Sequence, residues 1–388
     1  FTMPAGNVTI AGSWTANENT AYKVEHYKQN LAGDGYELAE TEAELAGTTG
    51  QTATAQAKSY DGFTLNEGAE GTVSSGVISG DGSLVLKLYY DRNSYTVTYD
   101  YGTAPAGASA LPAEATYKYG ADVAVADPAA APGYTFSGWM RDGKAAEDFT
   151  MPAGNVTIAG SWTANDQNLT INWVDETGTA LKNTESTTVK YDAEYDVIGQ
   201  RSDSLVGPDG KTYVYDSTEG DVAGTVKGDV NVTFTYSLDE KGGNDSETGE
   251  PTQPDGIADK YQATVTYLVV NGTFGQNGTT SVTEVITVAQ KDENGDITPV
   301  DYKMNVPENM VPAVGYGEQP GTWGDVDFNV KLEGSSTYTF TYVYGINNYS
   351  VNVSVANGTS NVGEVGTTGT YGSDLAYAFA PADGYALD

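Results

Sequence analysis

Apolar and polar residues alternate in segments spread along the whole chain. The clearest are AYKVEHY from Ala21, SYTVTYDY from Ser94, LTINWV from Leu169, YQATVTYLVV from Tyr261 and YSVNVSV from Tyr349. A period of two with β-branched and aromatic residues on one face predicts half-buried strands. Taking Tyr22, Tyr95, Leu169, Tyr261 and Tyr349 as starting points gives spacings of 73, 74, 92 and 88 residues. A second set of strands closes each interval: LVLKLYY (Leu84–Tyr90), NVTIAGSW (Asn155–Trp162), VNVTFTYS (Val230–Ser237) and TYTFTYVY (Thr337–Tyr344). Closing strands run almost directly into opening ones through joints such as Asp91–Ser94 and Thr163–Asn168. Turn residues that accept positive φ are dense, among them Gly33–Gly35, Gly80–Gly82, Pro208–Gly210 and Asn271–Gly272. No stretch carries a convincing 3.6-residue period. Ala39–Ala46 (AETEAELA) holds helix formers cut short by Gly47–Gly50, and is expected as a single helical turn.

The chain repeats itself. Residues 1–17 and 149–165 both read FTMPAGNVTIAGSWTAN, an offset of 148. Internal duplication is therefore certain. The chain starts inside a pattern, with Phe1 the counterpart of Phe149, which reads as a fragment of something longer. One segment stands apart: Asp239–Lys260 is acidic, rich in Gly and Pro and free of aromatics, and is expected as a flexible linker. The other reading is a long surface loop within one module.

Residues 94–165 resemble the internalin-type B repeat (Listeria–Bacteroides repeat) of bacterial surface proteins. The motifs are YTVTYD (Tyr95–Asp100), YKYG (Tyr117–Gly120), PGYTFSGW (Pro132–Trp139) and FTMPAGNVTIAGSW (Phe149–Trp162), whose GSW end departs from the usual aromatic-rich finish. Residues 21–92 and 168–238 resemble mucin-binding-protein (MucBP-type) modules of Gram-positive surface proteins. They do so through YKVEHYKQNLAGDGYEL (Tyr22–Leu38), INWVDETGTAL (Ile171–Leu181) and the matching ends Glu70–Tyr90 and Glu219–Ser237. Residues 261–344 resemble a further repeat of such proteins. The expected fold class is all-β to β-rich: an elongated tandem array of small β-grasp-like or β-sandwich-like modules. The expected divisions are 1–17 (end of a B-type repeat), 18–92 (MucBP-like), 93–165 (B-type repeat), 166–238 (MucBP-like), 239–260 (linker), 261–345 (a β-rich repeat) and 346–388 (start of a further B-type repeat).

Charge narrows the function. The 388 residues hold 53 Asp+Glu against 18 Lys+Arg, a net charge of -35. Such a surface repels nucleic acid and anionic membranes, and no apolar run is long enough to span a bilayer. With no Cys and one His, thiolate chemistry and His-built metal sites are excluded. His26, in YKVEHYK, is the one possible general base; the plain alternative is a strand-face histidine. Asp292, Asn294 and Asp296 in KDENGDITPVD have the alternate-oxygen spacing of a Ca²⁺ site, against the reading of a polar hairpin turn. Ca²⁺ is the one cofactor for which the sequence offers ligands. The resemblance to surface adhesins raises isopeptide cross-linking, for which Lys87 is the first candidate and Lys331 the second. The alternative is an outward-facing lysine on an edge strand. The Tyr-rich strands are read as core and cross-strand packing rather than sugar platforms.

The expectation is a non-enzymatic stalk or spacer of an extracellular, cell-surface adhesin. Alternatives are modules that bind mucin or host glycans, and a filament joined by strand complementation between the partial modules at the two ends.

Overall fold

The computed structural model describes residues 1–275, 278–292, 295–323, 328–360 and 367–386, without side chains over 318–322. The described residues are strands, turns and two single-turn 3-10 segments, Ile198–Gln200 and Asp259–Tyr261; none lies in an α-helix. The chain divides into two compact units, residues 1–165 and 166–388.

In the first unit, Thr20–Gln29 lies between an antiparallel partner, Tyr36–Gly47, and a parallel one, Val85–Arg92. Phe63–Leu65 adds to the far edge of Val85–Arg92. Val24, Ala53, Ile78 and Leu86 form the core, so the alternation in YKVEHY does point one face inward. Ala39–Ala46 is not a helical turn: it pairs with the neighbouring strand through Glu40, Thr41, Glu42, Leu45 and Ala46. The helix propensity of isolated Glu and Ala is weak, and a ladder of hydrogen bonds outweighs it.

The same plan repeats at residues 93–165. Ser94–Asp100 pairs antiparallel with Ala115–Lys118 and parallel with Val156–Ala159. Val97, Val123, Trp139, Met151 and Ile158 fill the interior. The Gly-Tyr-x-Phe-x-Gly-Trp signature has a packing reason: Phe136, Trp139 and Trp162 meet with ring centroids 4.8 Å apart in two pairs. Gly160 makes this possible, since a Cβ there would sit 2.3 Å from the Phe136 ring. This accounts for the glycine in the GSW ending.

In the second unit, Asp166–Asp175 pairs antiparallel with Ala180–Lys190 and parallel with Val230–Leu238, around Trp173, Phe234 and Tyr236. Gln262–Val270 pairs antiparallel with Ser281–Thr287 and parallel with Thr337–Ile346, around Val265, Tyr267 and Tyr344. Towards the end of the chain two small sheets form, one joining Asn348–Val351 to Thr367–Thr370 and the other Gly358–Ser360 to Phe379–Pro381. In all four complete ladders the opening and closing strands are side by side and parallel.

The segment expected as a linker is folded onto itself. Gly242–Gly243 pairs with Gln253–Pro254. Asp239, 1% exposed, accepts the backbone N–H groups of Asp255 (3.1 Å) and Gly256 (2.9 Å). Asp259 accepts those of Glu240 and Lys241. Buried carboxylates satisfied by backbone donors order a stretch that has few apolar residues.

Candidate functional site

The residues with the most to say about function lie where one module passes to the next. Between Val85–Arg92 and Ser94–Asp100 stands a single residue, Asn93. Its N–H donates to Gly62 O (2.9 Å), and its own carbonyl accepts from Tyr119 N–H (2.8 Å). Its side-chain oxygen accepts from Thr64 Oγ1 at 2.8 Å. Arg92 bridges the same seam, donating through Nε to Gln29 O (3.1 Å) and through Nη1 to Tyr119 O (2.8 Å). The Tyr119 ring covers Gly62, where a Cβ would stand 2.2 Å from ring carbons and where φ is +77°. Glycine alone meets both demands. Phe63 then packs edge-on against Tyr119, centroids 5.8 Å apart.

The second unit repeats this joint at its far end. Asn347 N–H donates to Gly315 O and Tyr371 N–H to Asn347 O, both at 2.9 Å. Gly315 has φ +85°, and its Cβ would lie 2.2 Å from the Tyr371 ring. Tyr316 meets Tyr371 edge-on, as Phe63 meets Tyr119. Partial forms occur elsewhere. Thr49 N–H donates to Asn17 O, and Asn165 N–H to Gly133 O. The residue after each donor to Asn17, Asn93 and Asn347 has positive φ: Gly50, Gly120 and Gly372. A Gly–aromatic pair, an Asn after the closing strand and a Tyr–Gly pair thus form one recurrent device. The sequence contained the signal, since Asn17, Asn93, Asn165 and Asn347 each follow a closing segment, but no single copy marks itself as special.

The junction between residues 166–238 and 261–345 is built differently, on charge. Asp216 pairs with Lys260 (3.0 Å) and Lys291 (3.1 Å), and Lys260 also reaches Glu176 at 2.6 Å. Lys291 donates as well to the Asp216 carbonyl, 2.7 Å. Burial pushes the Asp216 carboxyl up, but hydrogen bonds from the two lysines outweigh it and hold it below the usual range. Burial likewise disfavours charge on Lys260, and Glu176 and Asp216 overcome it. At Asp239 burial prevails over the two backbone donors and raises its pKa.

The residues singled out from sequence fall away from these joints or at their edge. Asp292 and Asp296 face each other across a turn: Asp296 N–H donates to Asp292 Oδ1 and Asp292 N–H to the Asp296 carbonyl, both at 2.9 Å. Asn294 lies outside the described residues. Among the described residues no group of three or more His, Cys, Asp or Glu side chains is arranged to hold a metal ion. Lys87 is 36% exposed, with Nζ 3.8 Å from Glu25 Oε2 and 5.6 Å from the Tyr27 ring centre. Glu25 partners it in an ion pair open to solvent. Lys331 lines a shallow surface hollow with Tyr302 and Phe328. His26 is fully buried, Nδ1 3.0 Å from Tyr90 Oη and Nε2 2.9 Å from Glu42 Oε1. Lys58 joins Glu42 to Glu40, and Tyr60 donates to Glu40. Both ring nitrogens are engaged in holding the sheet together.

Residues 95–166 match the family model of the divergent InlB B-repeat domain, the segment that the sequence motifs assign to the B-type repeat. No curated protein matches the chain. Among solved structures, domains 3-4 of the Streptococcal High Identity Repeats in Tandem (SHIRT) from a cell surface protein are 16% identical, with a TM-score of 0.21. That alignment covers 37% of this chain and 98% of that one. The Bacillus anthracis TIE protein is 10% identical over 66% of this chain and 52% of its own, TM-score 0.23. Two B repeat units of the collagen-binding protein of Staphylococcus aureus are 12% identical over 85% of this chain and all of theirs, TM-score 0.13. Scores at this level define no shared arrangement. Among the described residues no helix is long and apolar enough to cross a membrane. The chain is a nearly all-β protein of tandem modules, one of which matches the divergent InlB B-repeat domain.

Proposed function

We propose that this chain is a spacer segment of a bacterial surface protein, displayed outside the cell and projecting an adhesive region, with the modules at 18–92 and 166–238 of the MucBP type. One observation carries the reading. In every complete module the opening and closing strands are adjacent and parallel, so the chain enters at one end of the module and leaves at the other. One-residue joints at Asn93 and Asn347 then hand the path on without slack. An opening strand of seven to ten residues rises about 23–33 Å, so each module carries the chain forward by about that distance. The net charge of -35 opposes lateral association of such segments.

Small-angle scattering of the 388-residue chain tests this. A compact globule of that length has a radius of gyration of about 21 Å, and a spacer exceeds it clearly. A value near about 21 Å would rule out a spacer.

A further inference from the structure

We propose that the cleft between residues 166–238 and 261–345 binds a hexuronate-bearing oligosaccharide through Arg201 and Lys291. The site rests on its own geometry and stands or falls apart from the spacer role.

Arginine use in this chain draws attention to it. Arg92 is engaged with backbone carbonyls and Arg141 lies 3.8 Å from Asp142. Among the described residues the Arg201 guanidinium makes no hydrogen bond or ion pair; it rests 4.6 Å above the Tyr215 ring. In a chain with 53 acidic residues and 18 basic ones, a guanidinium with no carboxylate is out of keeping with its surroundings. It lines a cleft of about 620 Å³ together with Tyr215, Asp216, Ser217, Thr218 and Lys291. A second recess of about 270 Å³ shares Tyr215, Asp216 and Lys291 and is walled by Ile257 and Ala258.

The parts suit a carboxylated sugar. Arg201 offers two parallel N–H donors to a carboxylate, the geometry that distinguishes guanidinium from ammonium. Lys291 is fixed by Asp216 through two contacts, which leaves its third proton for an incoming oxygen. Arg201 and Lys291 offset the charges of Asp216 and Asp292 on the same walls, so an anion meets no net local repulsion. Ser217 and Thr218 place hydroxyls at the wall, with Thr218 already oriented by Tyr215 Oη at 2.8 Å. Ile257 and Ala258 give the C–H face of a pyranose an apolar surface. A bare phosphate would leave the apolar recess unused, and clefts of this size suit small organic ligands.

The experiment titrates the full chain, by isothermal calorimetry and amide NMR in calcium-free low-salt buffer, with tri-galacturonic acid and with its methyl ester. The ester keeps the scaffold and removes the charge. The acid binds at least about tenfold more tightly than the ester, a difference of about 1.4 kcal/mol. Shifts centre on Thr218 and Lys291, Arg201→Gln erases the preference, and the distant Arg141→Gln leaves it intact. Equal binding of acid and ester, an unchanged preference in Arg201→Gln, or no binding of either at millimolar concentration would each overturn the proposal. Arg201 is exposed, so its substitution leaves the fold readable by the same amide spectrum.

Discussion

The joint at Asn93 and the junction across residues 239–260 solve the same problem by opposite means. At Asn93 one residue separates two strands, and the seam is held by backbone hydrogen bonds, a glycine under a tyrosine ring and an arginine bound to carbonyls. Across 239–260 a folded insertion intervenes, and the seam is held by Asp216 between two lysines and by buried aspartates that accept backbone N–H groups. The first kind of seam depends on shape and the second on ionisation. The one should be indifferent to pH and salt and intolerant of a methyl group. The other should tolerate added volume and respond to solution conditions.

The strongest way to break that contrast is Gly62→Val. It adds atoms where the Tyr119 ring already stands and forces a β-branched residue to φ +77°. The expected cost is about 3 kcal/mol, read as lost hydrogen-exchange protection of the Tyr119 amide, which donates to Asn93. Local exchange is the right readout because a tandem chain does not unfold in one step.

Asp216→Asn comes next. Two lysines lose their shared carboxylate, at about 2 kcal/mol near neutral pH, read at the Val288 amide beside the seam, which donates to Tyr261 O. The sign of the pH dependence follows from the lowered pKa of Asp216. A carboxyl depressed in the folded state contributes stability above its unfolded value of about 4. That contribution disappears as pH falls through the folded value. The difference between wild type and Asp216→Asn is therefore full at pH 7 and closes below pH about 4. It also narrows in 1 M salt, where screening acts within about 3 Å, while protection of the Tyr119 amide stays unchanged in both conditions.

The smallest effect is that of Asn93→Ala. It keeps both backbone hydrogen bonds of the joint and loses the side-chain bond from Thr64, for about 1 kcal/mol. A loss as large as that of Gly62→Val would mean that the asparagine side chain, and not the glycine–tyrosine contact, holds the joint.

The strands and their inward faces were legible because alternation is local. What depends on distant partners was not. Residues 1–17 and 149–165 make the point, being identical in sequence. Ile158 is fully buried and Met151 is 1% exposed, while their counterparts Ile10 and Met3 are 81% and 67% exposed. The pattern marks a surface that can be covered, and the rest of the module covers it. The insertion at 239–260 was misleading for the converse reason. Its composition is poor in apolar residues, and its order comes from Asp239 and Asp259 accepting N–H groups 16 to 19 residues away. The joints were half visible: PGYTF and YKYG stood out, but Asn93 acquires its role only from Gly62 and Tyr119, which lie far from it along the chain. Arg201 carried no sequence signal, since its distinction is a missing partner.

The pairing of opening with closing strands has a mechanical consequence. In the module at 166–238 seven residue pairs, Leu169–Val230 through Asp175–Tyr236, lie between the points where the chain comes in and goes out. Tension along the chain would pull these two strands past each other along their length. Parallel ladder bonds are evenly spaced, so they would be loaded together in shear, with no first bond to peel. Rupture under load is a matter of unfolding rate rather than equilibrium stability. A module of this kind can therefore be modest in a denaturant titration and still hold under tension along the chain.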